Sequence, residues 1–345
     1  MNKKKALVVT HGSDADGIIS AAMMYKFLSP RYKVEFVFII HSTKKDVFKA
    51  ISMRKDLDEL EVWIIDLALN KYLIVAELNN ESIMQRIARV ARNVVYIDHH
   101  DGMQTHKQLL KSLGVSVLEG YLEKICTAKL IYNTYFYLSG EKYLDWLSIV
   151  AQHSDYPDGL KDEIAQIGEN LNKIIFLYLS ESNIDAVKGL TVTLSGGKYW
   201  YIDGQYSGEI KEALVRFEII QREALTVLGQ SIEVVEIDNK KIIIGFGDGI
   251  LPDKDTIAEV MRRDDEKADS YIIAFGSPLN NALVLRGAKS SFPVMDFCKF
   301  MAGGGRPYGE EWEIGGFSFS FILDDSNYKK AKEIIIKGLK DFLKK

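Results

Sequence analysis

The run Ala6-Leu7-Val8-Val9-Thr10-His11-Gly12-Ser13-Asp14-Ala15-Asp16-Gly17 decides the fold. Its first five residues are apolar or β-branched and predict a strand, the polar Gly-containing segment stops it, and residues 18–28 then place apolar side chains at helical spacing. The same strand, loop, helix order returns in residues 34–40 with a helix near 45–53, and in residues 62–66 with a helix around 81–89. Residues 94–98 predict a fourth strand. Strands alternating with helices imply a mostly parallel sheet with flanking helices, and such sheets place their chemistry at the carboxyl ends of the strands.

Beyond this block, residues 127–187 read as mainly helical, with a turn cluster at 153–159 that contains Pro157 and Gly159. Residues 209–228 predict a long amphipathic helix ended by Gly229. Strands follow at 233–237, 241–246, 271–275 and 282–286, with a helix near 256–263 and a last helix after Asn327. The expected architecture is therefore α/β with two domains. Residues 1–205 form the first, 206–231 a helical connector that offers a dimer contact, and 232–345 a smaller α/β domain.

A chain of 345 residues exceeds what one hydrophobic core usually holds, which agrees with two domains. Lys and Arg number 44 against 48 Asp and Glu, for a net charge of -4. That balance lacks the surplus of cations expected of a protein that grips long nucleic acid mainly through its phosphates, and leaves room for a local basic patch. Cys126 and Cys298 stand far apart, so neither a thiolate zinc site nor a disulfide framework is expected, and a reducing cytoplasm fits. No apolar run approaches about 18 residues, so no membrane span is expected.

All six histidines precede residue 154, and several lie close to aspartates just after predicted strands. His11, Asp14 and Asp16 follow the first strand, Asp66 ends the third, Asp98, His99 and His100 end the fourth, and Asp155 lies in a later loop. Taken singly, Asp14 and Gly17 are ordinary turn and cap residues. Taken together, clustered carboxylates repel one another and lose hydration unless cations neutralise them. A set of imidazoles and carboxylates without thiolates suits Mn²⁺, Mg²⁺, Co²⁺ or Fe²⁺, and a shared aspartate can bridge two ions about 3.5 to 4 Å apart. Such a pair activates water and clamps a phosphoryl group, which is the chemistry of phosphoester hydrolysis.

These residues resemble the motifs of the DHH phosphoesterase superfamily, with Asp98-His99-His100 as the triplet and counterparts of all four metal motifs in order. The opening motif is similar to His-x-Asp-x-Asp-Gly, with Ser13 as an extra residue. The resemblance implies two Mn²⁺ ions, with Mg²⁺ or Co²⁺ as substitutes. His11, Asp14 and Asp66 would hold one, and Asp16, Asp66, His99 and Asp155 the other, with Asp66 as the bridge. Asp98 would orient its neighbouring histidine, and His100 would face the scissile phosphate. In the second domain a turn at Gly303-Gly304-Gly305-Arg306-Pro307 suggests a nest of backbone N–H groups for phosphate. It resembles the Gly-Gly-Gly-His-Pro signature of the DHH-associated C-terminal domain, with Arg306 in place of histidine. Arg286 resembles an arginine that such domains direct toward substrate.

The implied function is a metal-dependent phosphodiesterase acting on short nucleic acid or a related small nucleotide. One alternative is a phosphoanhydride hydrolase of the exopolyphosphatase or pyrophosphatase type, although the compact Ser-Arg-Lys-Lys signature of the pyrophosphatase branch is missing from this sequence. Another is a non-catalytic nucleotide sensor that retains the fold.

Overall fold

A computed structural model describes residues 3–39, 44–68, 73, 81–100, 102–120, 125–156, 163–197, 200–202, 204–248, 268–276, 282–288, 291–308, 312–318 and 327–344. The chain divides into two compact units, Met1–Leu214 and Val215–Lys345.

The first unit opens with β1 (Lys4–His11), α1 (Ala15–Leu28), β2 (Tyr32–Ile39), α2 (Lys44–Ser52), β3 (Leu60–Ile65), α3 (Ile83–Val90) and β4 (Asn93–Asp98). It continues with α4 (Gly102–Ser112), β5 (Ser116–Glu119), α5 (Thr127–Ile131), α6 (Lys142–Asp155), α7 (Glu163–Ser180) and α8 (Ile184–Ser195). The five strands form one sheet in the order β2-β1-β3-β4-β5, and every pairing is parallel. Ala6 to Val9 are fully buried, as an interior strand of a sheet covered on both faces must be.

On one face, Leu7, Val9, Val62, Ile64 and Tyr96 pack against Phe48 and Ile51 of α2, Met84 and Ile87 of α3 and Leu110 of α4. The other face is covered by α1, whose residues Ala15 to Met24 are all buried. A helix apolar nearly all round belongs between layers, and α1 contacts β1 as well as α5, α6, α7 and α8. Its first amide is satisfied across the unit, since Ala15 N–H donates to Asn172 Oδ1 at 2.7 Å. Because the chain leaves β1 toward β2 on one side and returns to β3 on the other, the carboxyl ends of β1 and β3 form the switch point where open α/β sheets bind ligands.

Two short strands, β6 (Tyr201–Ile202) and β7 (Gln205–Tyr206), make a hairpin, and α9 (Gly208–Ser231) follows. The division at Leu214 and Val215 falls inside α9, the helix expected as a connector. Gly229 does not end that helix. It runs on to Ser231, whose Oγ accepts the N–H of Phe246 at 2.8 Å, so the stop comes from a tertiary contact and not from the glycine.

The second unit contains β8 (Glu233–Ile237), β9 (Lys240–Asp248), β10 (Ser270–Gly276), β11 (Ala282–Ala288), α10 (Val294–Phe300), β12 (Gly304–Tyr308), β13 (Trp312–Ser318) and α11 (Tyr328–Leu343). Its sheet order is β12-β13-β11-β10-β9-β8, parallel only between β9 and β10. Ile242, Ile244, Phe246 and Ile272 pack against Phe297 of α10 and Ile335 and Leu339 of α11. The expected helix at 256–263 and residues 157–159 of the expected turn cluster lie outside the described residues; residues 153–155 of that cluster are a correction, since they form the last turn of α6 and Asp155 stands at a helix end and not in a loop. No helix among the described residues is long and apolar enough to cross a membrane.

The glycine triplet is a correction. Gly304 and Gly305 are not in a turn but begin the edge strand β12, paired with Gly316 and Gly315 of β13. Gly303 is compelled by close approach, because a Cβ there would lie 2.1 Å from Gly316 O and 2.7 Å from Phe317 Cβ. Gly303→Ala should therefore destabilise the second unit by about 1–3 kcal/mol, read as a lower midpoint in denaturant unfolding. An unchanged midpoint would show that the strands separate freely.

Candidate metal centre

Four sequence-distant segments bring their acidic and imidazole groups to the carboxyl edge of the parallel sheet. β1 ends at His11, and the loop after it delivers Asp14 as the N-cap of α1, accepting the N–H of Gly17 at 3.0 Å. A side chain at residue 17 cannot fit, since its Cβ would lie 2.0 Å from the His11 carbonyl oxygen and 3.2 Å from Asp66 Oδ2. The extra residue of the opening motif, Ser13, places its Oγ 3.0 Å from His11 Nε2 and 3.2 Å from Nδ1. It does not displace Asp14, whose Oδ2 lies 3.1 Å from His11 Nδ1.

Asp16, only 2% exposed, is held by two backbone donors at the start of α5: Thr127 N–H reaches Oδ2 and Ala128 N–H reaches Oδ1, each at 2.8 Å. Asp66 follows β3 with a left-handed backbone, φ 48°, and its N–H donates to Ile97 O at 2.9 Å. Its Oδ1 accepts from Thr127 Oγ1 at 3.0 Å. His99 Nε2 points among the carboxylates, 3.3 Å from Asp66 Oδ1, 3.5 Å from Asp155 Oδ2 and 3.7 Å from Asp16 Oδ2. Its other nitrogen, Nδ1, lies 2.9 Å from Tyr156 Oη. His100 Nδ1 lies 2.7 Å from Asp98 Oδ1, and Tyr96 Oη lies 2.9 Å from Asp98 Oδ2.

The electrostatics follow from this crowding. Burial, and then the charges of Asp16 and Asp14, push the Asp66 carboxyl well above the usual range. Burial and Asp16 push Asp155 up to about 6. For Asp14 the cost of burial is outweighed by His11 and by the Gly17 amide, so its carboxyl is held below the usual range. Burial also acts against Asp98 and His100 as charged groups, but their mutual hydrogen bond wins. Asp98 is held low and His100 is pushed up to about 9.

Three overlapping groups offer ligand atoms within 4.8 Å of one another: His11, Asp14 and Asp66; Asp16, His99 and Asp155; and Asp66, His99 and His100. The donor set fits a divalent cation of oxygen and nitrogen preference, because it has no thiolate and leaves carboxylates whose ionisation burial opposes. All eight of the expected first-domain residues are gathered here. In the second unit, Arg286 and Arg306 both stand opposite Ile314 in the strand register, while their side chains lie outside the described residues. Sequence reasoning missed Thr127, the Ala128 amide, Tyr96 and Tyr156. Residues 127 and 128 could be suspected only as a helix start, since nothing in their spacing links them to Asp16 or Asp66.

Residues 5–152 match the profile of the DHH family, N-terminal domain. The N-terminal domain belongs to the DHH family. No curated protein sequence matches the chain. Among solved structures, the exonuclease RecJ bound to manganese is similar at 13% identity with TM-score 0.54, covering 96% of this chain and 88% of that one. RecJ of Thermus thermophilus with Mn²⁺ has the same identity and TM-score, covering 96% of this chain and 51% of its own. The pGpG-specific phosphodiesterase PggH of Vibrio cholerae aligns over 97% of this chain and 98% of its own, at 11% identity with TM-score 0.48. At these identities the likeness concerns the fold, a parallel α/β domain followed by a second sheet with helices.

In the cation-free DHH domain, the raised Asp66 and Asp155 favour the fold when protonated. That contribution is present at acid pH and is lost as pH rises through about 6 for Asp155. A divalent cation held by these carboxylates would compete with those protons. Mn²⁺ about a hundredfold above its Kd should stabilise the protein by about 3 kcal/mol near neutral pH, and the gain in Tm should be smaller at about pH 5. Equal gains at both pH values in thermal scans would contradict this assignment.

Proposed function

We propose that the chain is a divalent-cation-dependent phosphodiesterase that hydrolyses short oligonucleotides or related small nucleotides. The observation that carries the reading is the pair of ligand groups that converge on one edge of the sheet beside His100, with Asp66 close to both. Mn²⁺, or Mg²⁺ or Co²⁺ in its place, would be held by His11, Asp14 and Asp66 at one position and by Asp16, Asp66, His99 and Asp155 at the other. Bound there, such ions supply Lewis acidity toward a phosphoryl oxygen and lower the pKa of water.

The protein's own groups supply the rest. Thr127 and the amides of residues 127 and 128 fix Asp16 and Asp66 before substrate arrives, so no reorganisation is needed during the reaction. His100 is 42% exposed in its side chain while its Nδ1 is tied to the fully buried Asp98. It is thus a protonated imidazole at neutral pH, able to donate from Nε2 to a phosphoryl oxygen as negative charge builds on it. In this reading Arg306 and Arg286 of the second unit offer guanidinium donors to a phosphate, Arg306 with two parallel donors where imidazole offers one. The net charge of -4 supports a short ligand with few phosphates to neutralise. The buried thiols Cys126 and Cys298 support action in a reducing cytoplasm.

The test is product analysis with Mn²⁺ on short RNA, short DNA, cyclic dinucleotides and polyphosphate. Mononucleotide release from the short strands is expected; orthophosphate release from polyphosphate alone would replace the reading with a phosphoanhydride hydrolase. Asp66→Ala should lower kcat at least about a thousandfold while the circular dichroism spectrum stays native. His100→Ala should lower kcat about 10²–10⁴-fold with Mn²⁺ stoichiometry unchanged. Full activity in either variant would remove that residue from the mechanism.

A further inference from the structure

Adjacent histidines in this centre are anchored at Nδ1 by partners of different chemistry. The partner of His100 is the Asp98 carboxylate, 2.7 Å from Nδ1, where it is an acceptor for an Nδ1–H. The partner of His99 is the phenolic hydroxyl of Tyr156 at 2.9 Å, with the two rings at 77° and their centroids 5.8 Å apart. A hydroxyl can accept or donate. Tyr156 directly follows Asp155 at the end of α6, where its N–H donates to Gln152 O at 2.8 Å. One dipeptide thus addresses both ring nitrogens of His99: Asp155 lies 3.5 Å from Nε2, and Tyr156 faces Nδ1.

Neutral imidazole carries one proton and one lone pair. If Nε2 is to share a cation with Asp16, Asp66 and Asp155, its lone pair must point at them and the proton must sit on Nδ1, where the Tyr156 hydroxyl is placed to receive it. A carboxylate in that place would add negative charge beside a cluster already crowded with it, whereas a hydroxyl accepts without adding charge. Without a cation the hydroxyl can rotate and donate to Nδ1 instead, leaving an Nε2–H for the carboxylates.

We infer that Tyr156 is a positioning residue of the metal centre, whose hydroxyl accepts the Nδ1–H of His99 and so presents the Nε2 lone pair to a divalent cation. The inference rests on reading Asp16, Asp66, His99 and Asp155 as ligands. It separates the two histidines by function: His100 is locked in one tautomer by Asp98, and His99 is free to reverse its tautomer when the cation enters.

The experiment uses the full chain, wild type and Tyr156→Phe, with Mn²⁺ titrated by calorimetry and imidazole nitrogen NMR recorded with diamagnetic Mg²⁺. Tyr156→Phe should weaken Mn²⁺ binding about 10- to 100-fold while the cation-free protein keeps a native circular dichroism spectrum. The Mg²⁺-loaded wild type should show His99 protonated at Nδ1. Equal Mn²⁺ affinity in the two proteins, or a loaded His99 protonated at Nε2, overturns the inference. If Tyr156→Phe does not fold, the wild-type ring spectrum decides alone. Failure of the wild type itself to bind Mn²⁺ would overturn the ligand reading, and this inference with it.

Discussion

Negative charge confined away from water is the constraint on which the rest of this molecule depends. Asp16 and Asp66 are each 2% exposed and lie near Asp14 and Asp155 at one sheet edge, where a carboxylate without positive partners is far less stable than in solvent. The fold answers this in two ways. Asp16 has both oxygens bonded to backbone amides, and Asp98 is held by a histidine and a tyrosine. Asp66 and Asp155 lack enough such partners and are driven toward the protonated state. The edge thus gathers oxygen and nitrogen donors around a deficit of positive charge, a setting that could hold a divalent cation.

The two histidines show how one dipeptide can be put to two uses. His99 and His100 have ring centroids 4.5 Å apart, yet one ring is directed into the carboxylates and the other keeps 42% of its side chain open to solvent. Their Nδ1 partners match these settings. Buried Asp98 pushes the His100 imidazole up to about 9, toward its charged form, while the Tyr156 hydroxyl faces His99 Nδ1 without adding a carboxylate. Asp98, Tyr96 and Tyr156 therefore orient this cluster from behind, bonded to the histidines or to the carboxylate that holds one of them.

The second unit follows a different rule. Its sheet is mixed, its core is closed by α10 and α11, and its glycines serve strand packing: Gly303 lets β12 approach β13, and Gly304 and Gly305 pair with Gly316 and Gly315. A glycine triplet is thus an ambiguous sign, since the freedom that lets backbone approach an anion also lets one strand approach another. The register nevertheless sets Arg286 and Arg306 opposite the same residue, Ile314, which places both arginines in one row of the sheet.

The local sequence by itself determined the parallel α/β domain, because strand and helix periods alternate without interruption from Ala6 to Asp98 and each period is a short-range property of neighbouring residues. It also located His11, Asp14, Asp16, Asp66, Asp98, His99 and His100, since a parallel sheet must deliver the ends of its strands to one edge. Only the tertiary structure decided what holds those groups. Thr127 is 111 residues from Asp16 and 61 from Asp66, and Tyr156 is 57 from His99, so no spacing rule joins them. Likewise α9 passes through Gly229 because its end is set by Ser231 meeting Phe246, a contact between a helix and a strand 15 residues apart. Hydrogen bonds to buried charge are made by whichever donor the packing brings within about 3 Å, and packing is a property of the whole chain.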